Sequence, residues 1–226
     1  MNKKIWFTSD LHFSQKNIIT NLSKWNTNKQ LRNFDSIQHM NETIVNNINK
    51  YVDKKDDLYI LGDFSFDRDL KSILYWLKQI NCINIHFILG NHDYKIIKWS
   101  DTFINYFKCI VAYKELTHRY PLEGTNPDVD KWEGSQKICM SHYGMRVWNG
   151  SHKGSWMLYG HSHDSLDNPA YREPKTAHLG EFYAEQKTMD VGIDSAFRIL
   201  GEYRPFEFNE IKEIMDNRDI IKIDHH

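Results

Sequence analysis

Short apolar runs that end in polar residues recur through the first half of the chain. The run from Lys4 to Ser9 is apolar and β-prone, and the runs 57–61 and 83–89 repeat this character. Each run is followed, directly or after a single glycine, by acidic, amide or histidine residues. Such bounded apolar runs are typical of buried strands, so we predict three strands that each lead into a polar loop.

Apolar residues at helical spacing separate these strands. In the segment 37–51 they recur three or four positions apart after Asp35 or Ser36, either of which can cap a helix. The segment 70–80 repeats the spacing after a candidate cap at Asp67. Alternating strands and helices predict a βαβαβ unit with a parallel sheet, and the polar ends of its strands meet at one edge.

The second half of the chain is richer in short strand-like runs. We predict a second sheet from four strands, followed by a helix. These elements are expected at 108–117, 136–141, 155–159 and 187–193, and at 208–217.

One long segment of the second half lacks any periodicity. Residues 118–135 contain two prolines and two glycines, so we predict a long loop, with a surface insertion favoured over a lid. No internal repeat or change of composition indicates a domain boundary. We therefore expect one domain over residues 1–226, with 220–226 as a peripheral tail.

The composition is that of a folded globular protein, with 40% hydrophobic and 26% charged residues among 226. The 29 basic and 30 acidic residues give a net charge of −1, which argues against a global positive field for nucleic acid or anionic membrane. Three well separated cysteines indicate a reducing compartment, and the first residues turn polar too soon for a signal peptide. We expect a cytoplasmic protein without membrane association, in an oligomeric state that the sequence leaves open.

Five short clusters hold the residues with recognisable chemistry, and each follows a strand-like run. They offer oxygen and imidazole nitrogen ligands without a thiolate, a set that suits Mn, Fe, Zn or Ni better than Ca or Mg alone. In Asp-x-His and His-x-His, the spacing of two places both side chains on one side of an extended segment. Seven ligands indicate two metal ions. The clusters are Asp10-Leu11-His12, Gly62-Asp63, Gly90-Asn91-His92-Asp93, Ser141-His142-Tyr143 and Gly160-His161-Ser162-His163.

In these clusters the chain resembles the calcineurin-like metallophosphoesterase superfamily. The family motifs D-x-H, GD, GNH[DE], a lone [GS]H and GHxH all occur in order between Asp10 and His163. The segments 148–152 and 189–194 are similar to the small single-domain bacterial and phage branch. The resemblance implies an α/β fold, a four-layer α/β/β/α sandwich of two mixed sheets packed face to face with helices outside. It also implies a site for two divalent ions, with Mn expected, on the loops at one edge.

The resemblance assigns a role to each motif residue. The first ion would be bound by Asp10, His12 and His163, with Asp63 as a bridge, and the second by Asn91, His142 and His161. A carboxylate can bridge two cations through its two oxygens, which agrees with the role of Asp63. The two ions would hold a hydroxide for in-line attack on phosphorus, and His92, which binds no metal, would assist the leaving oxygen.

One departure from a family pattern affects the residues that support His92. The phosphoprotein phosphatase branch has GDxxDRG, whereas here Asp67 and Arg68 lie one residue further along. Asp67 or Asp93 is a candidate to support His92 in catalysis, and Arg68 to contact phosphate, each against the alternative of a helix cap or a solvated charge.

A cationic and aromatic group surrounds the last two motifs and could contact a base and its phosphate, although a surface or core role is favoured for each member taken singly. Arg146 and His152 are the leading substrate-binding candidates within it. The other members are Tyr143, Trp148, Lys153 and Trp156.

The sequence therefore favours metal-dependent hydrolysis of a phosphoester, with a small, nucleotide-like phosphodiester as the favoured substrate. A phosphomonoesterase or a DNA or RNA nuclease could use the same site, although the net charge of −1 disfavours nucleic acid as a partner. A non-catalytic binding module is a further alternative. The presence of His92 and all seven candidate ligands counts against it.

Overall fold

Four parallel strands and one antiparallel strand form the first sheet of the computed structural model, which describes residues 3–20, 31–121, 134–168, 170 and 185–220. The sheet order is β4-β3-β2-β1-β9, and only β9 runs antiparallel to its neighbour. The strands are β1 (Ile5–Thr8), β2 (Asp57–Ile60), β3 (Asn84–Ile88), β4 (Phe107–Val111) and β9 (Phe206–Glu207).

The second sheet has four strands in the order β5-β6-β7-β8. The first pair is antiparallel and the other pairs are parallel. Both sheets are therefore mixed, which confirms the predicted α/β class with two mixed sheets. The strands are β5 (Tyr113–Tyr120), β6 (Gly134–Ser141), β7 (Trp156–Tyr159) and β8 (Thr188–Asp190).

The first sheet buries both of its faces. Trp6 of β1 packs on one face with the apolar sides of α1 (Ile37–Tyr51) and α2 (Leu70–Gln79). Its neighbour Phe7 faces the other way and belongs to a buried apolar cluster that includes second-sheet residues such as Leu158. The strand period of two thus places α1 and α2 outside the first sheet and the second sheet against its inner face.

The outer face of the second sheet is covered differently within the described residues. Cys139, Met157 and Tyr159 pack there against Trp148, which lies in the loop before β7. Four further α-helices lie wholly within the described part of the chain, besides two short 3-10 helices at Lys16–Ile18 and Ser151–Lys153. They are α3 (Tyr94–Lys98), α4 (Ser100–Phe103), α5 (Ile193–Leu200) and α6 (Phe208–Asp216).

Side-chain caps fix where the first two helices begin. The Ser36 hydroxyl accepts a hydrogen bond from the backbone N–H of His39, so Ser36 is the cap of α1. The Asp69 carboxylate accepts from the N–H of Ser72. The cap of α2 is therefore Asp69, the residue directly before the helix, and the predicted cap at Asp67 is wrong because Asp67 lies two residues too early.

Three predicted boundaries in the second half need correction. The strand predicted at 108–117 is two strands, because the chain leaves the first sheet after Val111 and enters the second at Tyr113. The loop predicted at 118–135 is shorter at both ends, since Tyr120 pairs with Gly134 in a hairpin. A β-carbon at Gly134 would lie 2.5 Å from the ring of Tyr120, which explains why glycine allows this pairing.

The third boundary is the end of the strand predicted at 187–193. It ends at Asp190, and α5 begins at Ile193 after Gly192. Residues 122–133 of the predicted loop and 221–226 of the predicted tail lie outside the described residues. Among the helices that the structure describes, none is long and apolar enough to cross a bilayer.

Candidate metal centre

The five clusters lie on loops that follow β1, β2, β3, β6 and β7, and backbone hydrogen bonds join these loops in pairs. The N–H groups of Asp10 and His12 donate to the carbonyls of Gly62 and Asp63, both at 3.0 Å. The N–H of Gly160 likewise donates to the carbonyl of His142 at 3.0 Å. The loops thus converge at one edge of the sandwich, where parallel strands of both sheets end.

Five of the predicted ligands have left-handed backbone conformations. Their φ angles are 56° for Asp10, 51° for His12, 54° for Asp63, 66° for His161 and 46° for His163. Residues other than glycine rarely adopt this region, and each instance costs on the order of 1–3 kcal/mol. Such a concentration of strained residues is typical of functional sites.

Asp10, His12 and His163 form the first group of ligand atoms. His12 Nε2 lies 3.4 Å from Asp10 Oδ1, and His163 Nε2 lies 3.9 Å from the same oxygen. One ligand atom from each residue lies within 4.8 Å of the others, so the three side chains could hold one ion together.

Asp10, Asp63 and His142 form the second group, under the same distance limit. Asp63 Oδ2 lies 3.5 Å from His142 Nε2 and 3.7 Å from His12 Nε2. Asp10 is thus common to both groups, and Asp63 of the second group also approaches His12 of the first, as a bridging carboxylate would.

The two remaining predicted ligands lie beside His142. Asn91 Oδ1 is 2.9 Å from His142 Nε2, and the ring of His161 is centred 5.2 Å from the ring of His142. The structure thus brings all seven predicted ligands to one place.

Buried polar atoms without a partner indicate that the site fits a cation. Within the part of the chain that the structure describes, Asp10 Oδ1 and both ring nitrogens of His12 are buried and make no hydrogen bond. Such atoms cost about 1–3 kcal/mol each unless something binds them. Carboxylate oxygens and imidazole nitrogens suit a divalent transition ion, so the donor set and its unmet bonding capacity agree.

The charges of the group also suit a cation. Burial raises the pKa of Asp10, but His12 and His163 outweigh it and hold the pKa well below its usual range. Burial also raises the pKa of Asp63, and contact with His142 outweighs it. Burial lowers the pKa of His12 to about 4, so its imidazole is neutral and able to bind a metal.

His142 behaves differently from His12 because two carboxylates face it. Burial lowers its pKa, but Asp63 and Asp10 outweigh this and raise the pKa to about 9. The imidazole would therefore release a proton when it binds a cation.

His92 lies at the exposed mouth of the site. Its Nε2 is 3.9 Å from Asp63 Oδ2, and its backbone N–H donates to Asp63 Oδ1 at 2.9 Å. The ring of Phe66 is centred 4.5 Å from the ring of His92 and 5.1 Å from that of His12. Phe66 thus contacts both histidines. Nothing in the sequence around Phe66 indicated that it would lie at the site.

Asp93 and Asp67 have other partners than the ring of His92. The carboxylate of Asp93 accepts backbone N–H groups from Gly90, Asp63 and Phe64 at 2.7, 2.8 and 3.0 Å. Asp67 accepts from the Ser65 hydroxyl at 2.9 Å. These bonds differ from the expectation that one of the two carboxylates supports His92 directly, because Asp93 instead joins the second and third motif loops.

The predicted substrate-binding residues lie at different depths. Arg68 and Arg146 are exposed and His152 is half-buried, so their contact with substrate stays a prediction. Trp156 stacks on Phe208 between the sheets.

Trp148 is the second buried tryptophan of the predicted substrate group, and it packs on the outer face of the second sheet. Both tryptophans are core residues, which agrees with the core role favoured for single members of the group, and neither is available to stack on a base. Tyr143 is exposed and its ring is centred 4.6 Å from that of His161, at the site.

Two residues outside the five motifs also contact the site. Asp194 lies 2.8 Å from His163 Nδ1, and Arg32 contacts both Asp194 and the loop of Asp10. Asp194 follows the last strand of the second sheet. A carboxylate just after a strand is the sequence feature that could have identified it as a site residue. No local pattern distinguishes Arg32.

Comparisons with known proteins give a family, a relative and a fold. The calcineurin-like phosphoesterase family matches residues 3–187. A protein of Methanocaldococcus jannaschii described as uncharacterized is 24% identical over 221 residues, which cover 97% of this chain and 96% of that protein. The crystal structure of a protein of unknown function from Aquifex aeolicus has a TM-score of 0.57 at 20% identity, covering 94% of this chain and 100% of that one. This last likeness extends to the fold alone.

Proposed function

The chain belongs to the calcineurin-like phosphoesterase family, and from this premise we propose that it hydrolyses a small, nucleotide-like phosphodiester with two divalent ions, of which Mn²⁺ is the favoured metal. Metal-dependent hydrolysis of phosphoesters is the chemistry of the family. One observation carries the proposal for this chain: Asp63 Oδ2 lies 3.5 Å from His142 Nε2 of the second ligand group and 3.7 Å from His12 Nε2 of the first. The same oxygen lies 3.9 Å from His92 Nε2.

In this proposal seven side chains bind the two ions, and His92 transfers a proton. The first ion would be held by Asp10, His12 and His163, the second by Asn91, His142 and His161, and Asp63 would contact both. Two bound divalent ions lower the pKa of water and neutralise charge on the phosphate oxygens.

We assign the role of proton donor to His92. It belongs to neither ligand group. Its side chain is 46% exposed, so substrate can approach it from solvent. Its imidazole can donate a proton to the leaving oxygen, a contribution of about 10²–10⁴-fold in rate.

The surroundings of the mouth support a diester over a monoester. Phe66 packs against His92 and His12, and the exposed Tyr143 packs against His161 and His142, so an aromatic ring contacts a histidine of each ligand group. A phosphodiester carries two organic groups and one negative charge, whereas a monoester carries one group and up to two charges. Flanking aromatic rings suit the two organic groups and the nucleotide bases that stack on such rings.

The test compares bis(p-nitrophenyl) phosphate with p-nitrophenyl phosphate in the presence of Mn²⁺. We expect a higher kcat/KM for the diester and no turnover after chelation. His92→Ala should retain bound metal and lose about 10²–10⁴-fold in kcat. His39→Ala is the matched control, because His39 is exposed on α1 and contacts Asp35 and Phe34.

Three results would contradict the proposal in different ways. A higher kcat/KM for the monoester would replace the diesterase by a phosphomonoesterase. Salt-sensitive cleavage of single-stranded DNA or RNA in preference to small diesters would replace it by a nuclease. A protein that binds no Mn²⁺ and hydrolyses neither substrate would be a binding module.

A further inference from the structure

A buried arginine outside the five motifs joins the loops that carry the first group of ligands. Arg32 is 1% exposed and is the largest fully buried side chain among the described residues. Its Nη2 donates to the carbonyl of Asp10 at 2.6 Å, and its Nη1 donates to the carbonyl of Leu11 at 3.0 Å. The guanidinium thus holds the backbone of the Asp-x-His loop.

The other edge of the same guanidinium binds Asp194. Nε and Nη2 of Arg32 donate to Oδ1 and Oδ2 of Asp194 at 2.8 and 2.9 Å, which is a two-bond pairing of planar groups. The remaining contact of Nη1 is with the Met40 sulfur at 3.9 Å. The five N–H groups of a guanidinium are therefore all accounted for in a place where an unpaired charge would be very costly.

Asp194 in turn determines which nitrogen of His163 carries a hydrogen. Asp194 Oδ2 lies 2.8 Å from His163 Nδ1. A carboxylate paired with arginine only accepts hydrogen bonds, so Nδ1 must be the donor. The neutral imidazole then has its lone pair on Nε2, the atom that lies 3.9 Å from Asp10 Oδ1 in the first ligand group.

The same contacts act on the strained part of the backbone. Asp10 and His12 both have left-handed φ angles, and the carbonyls that Arg32 binds belong to Asp10 and to Leu11 between them. Strained conformations persist only where surrounding structure holds them. Arg32 therefore connects the conformation of the Asp-x-His loop to the orientation of His163.

We infer that Asp194 and Arg32 are positioning residues of the metal site, where Asp194 presents Nε2 of His163 to the ion and Arg32 fixes Asp194 relative to Asp10 and His12. The inference rests on the proposed function, because it assigns a role to these residues only if the first ligand group binds a metal. Carboxylate partners of this kind orient metal-binding histidines, and their loss costs about 10–100-fold in metal affinity.

A matched pair elsewhere in the chain separates positioning from plain stabilisation. Arg204 makes two hydrogen bonds to the carboxylate of Glu210 at the start of α6. Its guanidinium also lies 4.5 Å from the ring centre of Tyr51 and donates to the carbonyl of Pro205, and none of these residues is a candidate ligand. Glu210→Gln thus breaks a comparable ion pair without touching the site.

The experiment measures Mn²⁺ affinity of metal-free protein by calorimetry, together with the melting temperature, for Asp194→Asn and Glu210→Gln. We expect Asp194→Asn to weaken one Mn²⁺ site by about 10–100-fold. Glu210→Gln should lower the melting temperature and leave both Mn²⁺ affinities unchanged. Wild-type affinity in Asp194→Asn would overturn the inference.

A spectroscopic readout tests the same point without metal or substrate. At alkaline pH, ¹⁵N NMR of the wild-type imidazole of His163 should show hydrogen on Nδ1 and none on Nε2. In Asp194→Asn we expect a mixture of the two forms, and in Glu210→Gln the wild-type pattern. Hydrogen on Nε2 in the wild-type protein would overturn the inference, and that measurement needs no variant to fold.

If Asp194→Asn does not fold, Arg32→Lys provides the affinity measurement. Lysine keeps the positive charge but cannot bond two carbonyls and both oxygens of Asp194 in one plane. We expect weaker Mn²⁺ binding at one site, and unchanged binding would overturn the role of Arg32. A protein that binds Mn²⁺ in this Asp194-dependent way but hydrolyses no phosphoester would refute the proposed function and leave the positioning role intact.

Discussion

The buried carboxylate of Asp93 accepts a hydrogen bond from the backbone N–H of Asp63 at 2.8 Å, across two loops that follow different strands. It also accepts the N–H groups of Phe64 and Gly90. Burial raises the pKa of Asp93 to about 6. One side chain thus determines where the backbone of the central candidate ligand lies relative to the loop of His92.

Replacement of Asp93 by alanine should therefore destabilise the fold as well as the site. It removes the acceptor of three N–H groups, and each buried group left unsatisfied costs about 1–3 kcal/mol. We expect a lower free energy of unfolding in urea and weaker Mn²⁺ binding. Asp67→Ala is the control, because Asp67 is only half-buried and accepts from Ser65, and it should change stability by less than about 1 kcal/mol. Equal stability of the two variants would contradict this role of Asp93.

Asp63→Asn should lose metal and activity together. The substitution keeps the shape of the side chain but removes the charge that lies 3.5 Å from His142 and 3.7 Å from His12. Loss of a residue that only hydrogen-bonds to a metal ligand lowers metal affinity by about 10–100-fold, and we expect Asp63→Asn to lower Mn²⁺ affinity by more than this. Metal analysis and diesterase assays on the same sample check this. Full metal content with low activity, the result expected of His92→Ala, would assign Asp63 to catalysis rather than to metal binding.

The regular part of the fold was predictable because its signals are local. Apolar residues spaced three and four apart in 37–51 and 70–80 face the first sheet in α1 and α2. The strands β1, β2 and β3 could be predicted from the apolar composition of their segments and from the polar residues that follow them. The change of sheet after Val111 gave no such signal, because a strand that leaves one sheet for another keeps its β-prone composition.

The candidate ligands were found for a similar reason, since each motif is a few residues long. Asp194 lies in the segment 189–194 noted for its resemblance, but neither it nor Arg32 received a role, because the two are 162 residues apart and only the folded chain brings them together. The left-handed backbone of Asp10 and Asp63 was equally hidden, since neither residue is a glycine. Trp148 and Trp156 show a different limit of the sequence. A tryptophan near a motif looks the same in the sequence whether its side chain is buried or faces a substrate.

Gly160→Ala should disrupt the site through a steric clash of the added β-carbon rather than through backbone strain. A β-carbon at Gly160 would lie 1.9 Å from Ser9 Oγ and 2.5 Å from Asp10 Oδ2. Relief requires the first candidate ligand to move, so we expect both a lower melting temperature and weaker Mn²⁺ binding. Gly201→Ala is the control, because Gly201 has a φ of 76° and no atom near its β-carbon position. That variant should cost about 1–2 kcal/mol in stability and leave Mn²⁺ affinity unchanged.

Cys109 should be the most reactive of the three thiols. It lies on β4 beside His86 of β3, with Sγ 3.8 Å from Nδ1, while Nε2 of His86 lies 3.1 Å from Asp57. Burial raises the pKa of Cys109, but its contact with His86 outweighs this and lowers it below the ordinary value. Burial raises the pKa of Cys82 and of Cys139.

The sign of the pH dependence follows from these shifts. Because the thiolate is the nucleophile, a lowered pKa gives Cys109 a larger thiolate fraction at neutral pH, and its reaction with iodoacetamide should reach its plateau rate at a lower pH than that of a free cysteine. The reaction forms a carbon–sulfur bond and releases iodide. In His86→Ala the profile should move to higher pH, while Cys82 and Cys139 stay unmodified in the folded protein. Peptide mass spectrometry after timed alkylation measures all three sites in one sample, and an unshifted profile in His86→Ala would show that the imidazole does not act on this thiol.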